Sequence, residues 1–316
     1  MYCINSDSTD PFFNLAIEEF LLKNSKEEYL LLYVNDPSVI LGKHQSGHRE
    51  VNTQFITDNK IPVIRRISGG GTVFHDRGNL NYSFIRQSES GKQVDFRKYT
   101  QPVIDFLKSV GVEALFEGKS DLKVDGFKIS GNAEHVHHNR VLHHGTLLFN
   151  TSLDTLRNSI RKDTSCYNSR AVLSNPSSVL NLDGMLSQFH DIYEFRSEMI
   201  NYFLKNFSDL VPYTPAQEEF IKAEDLSSSK YKTWEWNWAY GPEYSFQNEF
   251  EIGETPHYCS LFIKDGIIQE CIISGSDQMR DTSEKLLGCR HMVNALSDVF
   301  KSENIHLTEA EIYNFF

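Results

Sequence analysis

No run of apolar residues in this chain approaches the ~20 that a helix needs to cross a bilayer, so a membrane-embedded protein is not expected. Cysteine is scarce. The five residues Cys3, Cys166, Cys259, Cys271 and Cys289 are odd in number, scattered, and form no CxxC pair. That argues against a disulfide framework or a thiolate zinc site and fits the reduced thiols of a cytosol. Positive charge is in deficit, with a formal net charge of −12. A nucleic-acid surface needs a basic stripe, so no nucleic-acid partner is expected; a local basic pocket for a small anion stays compatible with that balance. The opening MYCINSDSTDP has neither the basic start nor the apolar stretch of a signal peptide, which sets the expectation of a cytoplasmic location. No internal repeat or low-complexity tract interrupts the chain.

What remains is an ordinary globular balance, 40% apolar and 23% charged over 316 residues, enough for one large core and a smaller one. Asp10 is a good N-cap, Pro11 sits where its missing N–H costs nothing, and Phe13, Ala16, Ile17 and Phe20 make one apolar stripe, so a first helix is expected there. Short β-rich runs follow: YLLLYV, SVILG, PVIRRI, TVFHD and LNYSFI. A helix over about Phe96–Val110 precedes the strand candidates ALFEG, DLKV and FKISG around the Asp125-Gly126 turn, and then RVLHHGTLLF. Another helix is expected through Ile192, Phe195, Met199 and Tyr202. Strands and helices mix without regular βαβ alternation, so the class is α+β. Between Ala223 and Tyr244 the text turns polar and then reads WEWNWAYGP, taken as the exit from a first domain. The expected division is a domain over 1–240 and a small α+β accessory unit over 241–316. The latter is read as a hairpin about Asp265-Gly266 and one helix from about Asp281 to Phe300.

Three stretches carry chemistry. In Arg65-Arg66-Ile67-Ser68-Gly69-Gly70-Gly71-Thr72-Val73-Phe74-His75-Asp76, three glycines between strand-like runs let successive N–H groups converge on an anion, and two arginines add fixed charge. The bland alternative is a flexible hairpin loop. It is not a Walker A loop, because no Lys-Ser or Lys-Thr follows, nor a dinucleotide fingerprint, because TVFHD reads as strand. In Asp125-Gly126-Phe127-Lys128-Ile129-Ser130-Gly131, Lys128 stands between apolar neighbours after a turn. Partly buried, it would need an anionic partner; at the surface it would simply snorkel. In Leu142-His143-His144-Gly145-Thr146, the two histidines point to opposite faces of a strand and are poor partners for one metal. His135, His137 and His138 are read as a solvated loop, with zinc not favoured.

In that order, RRISGGGTVFHDRGNLNYSF, DGFKISGNAEH and HHGTLLFN closely resemble the lipoate–protein ligase A family, part of the wider group of biotin and lipoate protein ligases. DPFFNLAIEEF, VILGKHQ, WEWNWAYGP and the LLGC near Leu287 are similar too, so the resemblance spans nearly the whole chain. It implies a mixed-sheet ligase-like catalytic domain, with ATP and Mg²⁺ used to activate lipoate as an adenylate. It further implies acyl transfer to a lysine of apo lipoyl domains of 2-oxoacid dehydrogenase complexes or of the glycine-cleavage H protein. By the same resemblance the nucleotide site falls on Arg66, Ser68, Gly70, Gly71, Thr72, Val73, Phe74 and Lys128, and the lipoate site on Lys128, His144, Gly145 and Arg65. Lys128 is the catalytic residue and Asp121 a candidate metal ligand. One stretch departs from the family: SCYNSRAVLSNPSSVLNL stands where relatives read SVRSRVTNL. The rival readings are an ATP-independent octanoyl- or lipoyl-transferase, which needs an activated cysteine, and a ligase-like binding protein without chemistry. A biotin ligase would show GRGRxGR, which is absent.

Overall fold

The computed structural model describes residues 1–88 and 94–316. Its largest element is an eight-stranded sheet. From one edge to the other the order is Val211–Pro212, Tyr2–Asn5, Tyr29–Val34, Asn79–Gln87, Arg140–Leu148, Phe127–His137, Asp121–Val124 and Leu115–Glu117. The first two pairings are parallel and the rest antiparallel, so the sheet is mixed.

The unbroken apolar run YLLLYV reports a strand covered on both faces. Leu30, Leu32 and Val34 pack with helices Phe96–Ser109 and Ile192–Asn206 through Val103, Phe106, Phe195 and Phe203. Tyr29, Leu31 and Tyr33 point the other way, onto Phe13, Ala16, Ile17 and Leu21 of the helix Pro11–Asn24. That helix begins where expected, its Asp10 carboxylate accepting from the N–H groups of Phe12 and Phe13 at 2.8 and 3.4 Å. Truncating a fully buried leucine here, such as Leu31, would cost about 2–5 kcal/mol.

A separate three-stranded sheet has Ser38–Leu41 in the middle, parallel to Val63–Arg65 and antiparallel to Val73–His75. It brings the two ends of the glycine loop together. The polar stretch after Ala223 is more than an exit. A helix Gln217–Leu226 continues into π-helical turns Ser227–Tyr231 and Glu235–Ala239, which bury Tyr231 and Asn237.

The C-terminal sheet has four strands: Tyr167–Ser169, Tyr244–Ile252, Thr255–Lys264 and Ile267–Ser274. Asp265 and Gly266, at φ 51° and 70°, make the expected hairpin turn. The single helix expected over 281–300 is two, Asp277–Leu286 and Val293–Ser302, because Gly288 adopts φ 79° and the chain then runs extended past His291. The edge strand at 167–169 comes from well before the boundary placed at 240, and Tyr167 is part of this unit's core. No helix among the described residues is long and apolar enough to cross a membrane.

Candidate active site

The Asp125-Gly126 turn, at φ 51° and 80°, folds the strand Phe127–His137 back on Asp121–Val124 and sets Lys128 opposite Lys123. On its outer side Lys128 pairs with the returning segment. Its N–H donates to Ser178 O at 2.8 Å, and Leu180 N–H donates to Lys128 O at 3.0 Å. The Lys128 ammonium lies 2.9 Å from Asp121 Oδ1, with both side chains about one quarter exposed (24% and 23%). Gly131 keeps this corner open: a Cβ there would stand 3.1 Å from Lys128 Nζ. Gly145, on the neighbouring strand, has no room for a side chain at all, since a Cβ would overlap the Asn132 amide oxygen and the Tyr82 hydroxyl.

The glycine loop is held from beneath. Arg66 donates from Nη2 to Gly69 O and Gly71 O at 2.6 and 2.8 Å, and from Nε to Ser68 Oγ at 2.9 Å. Ser68 Oγ lies 2.6 Å from His144 Nε2, and His144 Nδ1 lies 2.9 Å from Glu18 Oε2. Glu18 is fully buried and also accepts from Tyr33 (2.8 Å) and Ser83. A carboxylate can only accept, so His144 carries its proton on Nδ1, and Nε2 accepts from the serine hydroxyl. The relay Glu18–His144–Ser68–Arg66 thus fixes the loop's floor from the first helix. Burial draws the Arg66 pKa down to about 10 against the pull of Glu18. It draws His75 down to about 3, with Arg66 and His144 adding to the effect, so that ring is neutral. Asn35 donates to His75 Nδ1 at 3.0 Å, because its oxygen already accepts from Asn14.

Two cavities open on this framework and meet at Lys128. The first, about 480 Å³, runs from Lys128 and Asp121 past Gly70 and Gly71 to an inner wall of Leu15, Tyr33 and Ile40. The second, about 640 Å³, has an apolar wall that includes Val73, Leu148, Leu156 and Ile160 and a basic rim of Arg49, Arg157, Arg161 and Lys162. Lys128, Thr72, Gly131, Thr146 and Ser174 belong to both. Ser174 arrives on the segment after Tyr167–Ser169. It accepts from Thr72 N–H at 2.8 Å and from Gln45 at 3.1 Å, and donates to Glu50. The two spaces converge on one ammonium.

The sequence pattern of the lipoyl protein ligase A/B catalytic domain matches residues 10–204. The chain belongs to this family. The chain is 35% identical to lipoate–protein ligase 1 of Staphylococcus aureus over 99% of its own length and 94% of that protein. It is 34% identical to the lipoate-protein ligase LplJ of Bacillus subtilis over 96% and 95%. Two solved structures from Thermoplasma acidophilum superpose with a TM-score of 0.64 at 26% identity over 75% of this chain. One is a lipoate protein ligase with bound lipoic acid (98% of that chain), the other a bipartite ligase described with its E2 lipoyl domain (94%). A lipoate-protein ligase A bound with ATP superposes at 0.62 and 27% identity, over 75% of this chain and 97% of its own. The family's mixed α+β fold is the fold seen here.

Of the site residues expected from sequence, Lys128, Asp121, Arg66, Gly70, Gly71, Thr72, Val73, His144 and Gly145 line the first cavity, and Phe74 lines the second. Arg65 and Ser68 line neither cavity. The Arg65 guanidinium is fully buried and donates to the carbonyls of Gly42, Lys43, Gln45, Trp236 and Asn237 at 2.7–3.2 Å, tying two loops together. Ser68 lies under the loop, in the relay. His135 and His137 sit on the strand Phe127–His137 rather than in a loop. Sequence reasoning missed Glu18 and Gln45, although DPFFNLAIEEF and VILGKHQ carry the family resemblance, and also Glu50 and Ser174, whose bond to each other spans 124 residues.

Proposed function

We propose that this member of the family is an ATP-dependent lipoate–protein ligase, which activates lipoate as lipoyl-AMP and passes the lipoyl group to a lysine of an acceptor domain. The observation that carries the reading is the meeting of the two cavities at Lys128. Lipoate lies in the cavity walled by Leu15, Tyr33 and Ile40 with its carboxylate toward Lys128. ATP lies with its adenine on the apolar wall of the second and its phosphates toward the glycine loop and the basic rim. A lipoate carboxylate oxygen attacks the α-phosphorus, the bond to the bridging oxygen breaks, and pyrophosphate leaves. Two anions repel as they approach, and charge builds on the phosphoryl oxygens. The Lys128 ammonium, turned from Asp121, and the loop N–H groups held by Arg66 offset that charge with donors already in place. In the second step the acceptor amine attacks the acyl carbon and AMP leaves as the amide forms.

Mg²⁺ would be held here by few protein atoms. Among the described residues no group of three or more His, Cys, Asp or Glu is placed to bind a metal. Asp121 and Glu50 are the carboxylates that line the two cavities, and Glu50 Oε1 is buried without a partner. One or two carboxylates with substrate phosphates are a usual Mg²⁺ set, so these residues fit the ion. When bound it would mask the charge of the leaving pyrophosphate.

None of the five cysteines lines either cavity, and Cys166 faces Asn248 of the C-terminal unit, which speaks against a thioester route. The acceptors that suit this chemistry are apo lipoyl domains of 2-oxoacid dehydrogenase complexes or the glycine-cleavage H protein. Residues 241–316 act as an accessory unit that, through the strand at 167–169, carries the segment bearing Ser174. Lipoate-dependent exchange of labelled pyrophosphate into ATP tests the proposal. Exchange is expected. Its absence, with acyl transfer from an acyl-protein donor instead, would replace this reading by the transferase.

A further inference from the structure

We infer that a cationic and aromatic patch built by Lys43, Lys23, Lys230, Trp236 and His135 is the docking surface for the acceptor, and that it selects a folded domain acidic around its target lysine. This rests on the ligase reading above. The chain's charge is −12, so an acidic partner is repelled by the average surface and needs a local exception. The patch supplies one. Lys230 Nζ lies 2.7 and 2.9 Å from the Glu19 oxygens and Lys23 Nζ lies 2.6 Å from the same carboxylate, so two cations share one anion. Lys43 makes no ion pair among the described residues and adds a second unbalanced charge.

The crowding of like charge bears on the side chains of the patch. Lys230 is drawn below its ordinary pKa first by burial, and then by Lys23 and Lys43, against Glu19. His135 is drawn down to about 4 by burial, Lys43 and Lys23. Lys230 Nζ also stands 3.9 Å over the Trp236 ring, which lies between the buried Tyr231 ring at 6.3 Å and the exposed Tyr240 ring at 4.6 Å. Trp and Tyr beside cations are the side chains that most often anchor protein–protein contacts.

The patch borders the site. Gly42 packs directly on the Gly70 carbonyl, and Lys43 N–H donates to Ser68 O at 2.8 Å. Along the strand Phe127–His137, side chains at 131, 133 and 135 share one face. Gly131 and Ala133 line the first cavity, and the Ala133 Cβ lies 3.9 Å from where a Gly70 Cβ would be. His135 is the next residue outward. A domain seated on the patch therefore sits beside the glycine loop.

The test separates the two half-reactions in the full-length protein. Lys43→Glu and, separately, Lys43→Gln with Trp236 intact are compared with wild type. One assay is lipoate-dependent ATP–pyrophosphate exchange; the other is kcat/KM for transfer to an apo lipoyl domain across ionic strengths. Lys43→Glu is expected to lower the transfer kcat/KM roughly tenfold at low salt, Lys43→Gln less, and to flatten its salt dependence. Exchange should stay within about twofold of wild type. Unchanged transfer with unchanged salt dependence overturns the docking surface. A matching fall in exchange also overturns it, because the patch then serves the nucleotide. Wild type without exchange refutes the ligase reading instead, a different outcome read from a different assay.

Discussion

Replacing Lys128 by alanine removes one charge from the junction of the two cavities, and the consequences for stability and chemistry should separate. For the fold, the loss is the pair with Asp121, whose members are each about one quarter exposed. Pairs that wet contribute little, about 1 kcal/mol at most. In a chain of this size that lowers Tm by only about 2 °C. For the chemistry, the ammonium acts on an anion roughly 4 Å away. At an effective dielectric constant of ~20 that interaction is about 4 kcal/mol, and the water admitted at this exposure reduces it to roughly 2–4 kcal/mol. Converted to rate, this is a loss of ~30- to 1,000-fold in adenylate formation. The assay is a single turnover with α-labelled ATP and excess enzyme, quenched and resolved for lipoyl-AMP, beside a thermal melt. Lys128→Met, which keeps the stem and removes the charge, should behave like alanine. A folded Lys128→Ala protein that forms adenylate within threefold of wild type would refute the reasoning.

Gly145→Ala forces a Cβ onto the Asn132 and Tyr82 side chains and should cost about 1–3 kcal/mol; a melt within 1 °C of wild type would contradict this close approach. Glu18→Gln puts an amide where three donors converge, and the loss of stability in urea should be about 1–3 kcal/mol; an unchanged midpoint would mean the relay does not hold the loop. Cys166→Ala should leave transfer intact, and abolished transfer in a stable variant would bring back the cysteine mechanism. The last concerns pH. His48 and His291 are buried between the two units, His48 Nε2 lying 2.7 Å from His291 O and His291 Nε2 lying 2.7 Å from Phe315 O. Burial draws His291 down to about 4, with Arg161 adding to it and the Phe315 carbonyl opposing, and draws His48 well below its ordinary value. With the folded pKa depressed, the unfolded chain takes up protons first. The contribution is whole above about pH 6.5 and lost as pH falls toward 4, on the order of 3 kcal/mol for His291. Melts from pH 7.5 to 5 should show a decline that is shallower in His291→Asn; equal slopes would mean that the buried His291 ring does not set it.

Periodicity and turn chemistry alone determined the first helix with its Asp10 cap, the hairpin at Asp125-Gly126 that delivers Lys128, and the strands on either side of the glycine loop. These are local facts: side-chain alternation, a capping carboxylate and two residues able to adopt positive φ. The three ordered motifs likewise marked the family and most of the residues lining the first cavity. Tertiary structure alone decided the rest, because it turns on which donors meet which acceptors across long separations. Arg65 and Arg66 are adjacent in the sequence and equally basic, yet one is consumed by the carbonyls of Gly42, Gln45 and Trp236 while the other holds the glycine loop. Ser68, expected at the nucleotide site, has its hydroxyl claimed by His144, 76 residues on. Glu18 lies outside the apolar stripe of Phe13, Ala16, Ile17 and Phe20, yet the mixed sheet buries it against Tyr33, Ser83 and His144. A buried polar group must find its partner, and in this chain the partners come from strands that only the fold brings together.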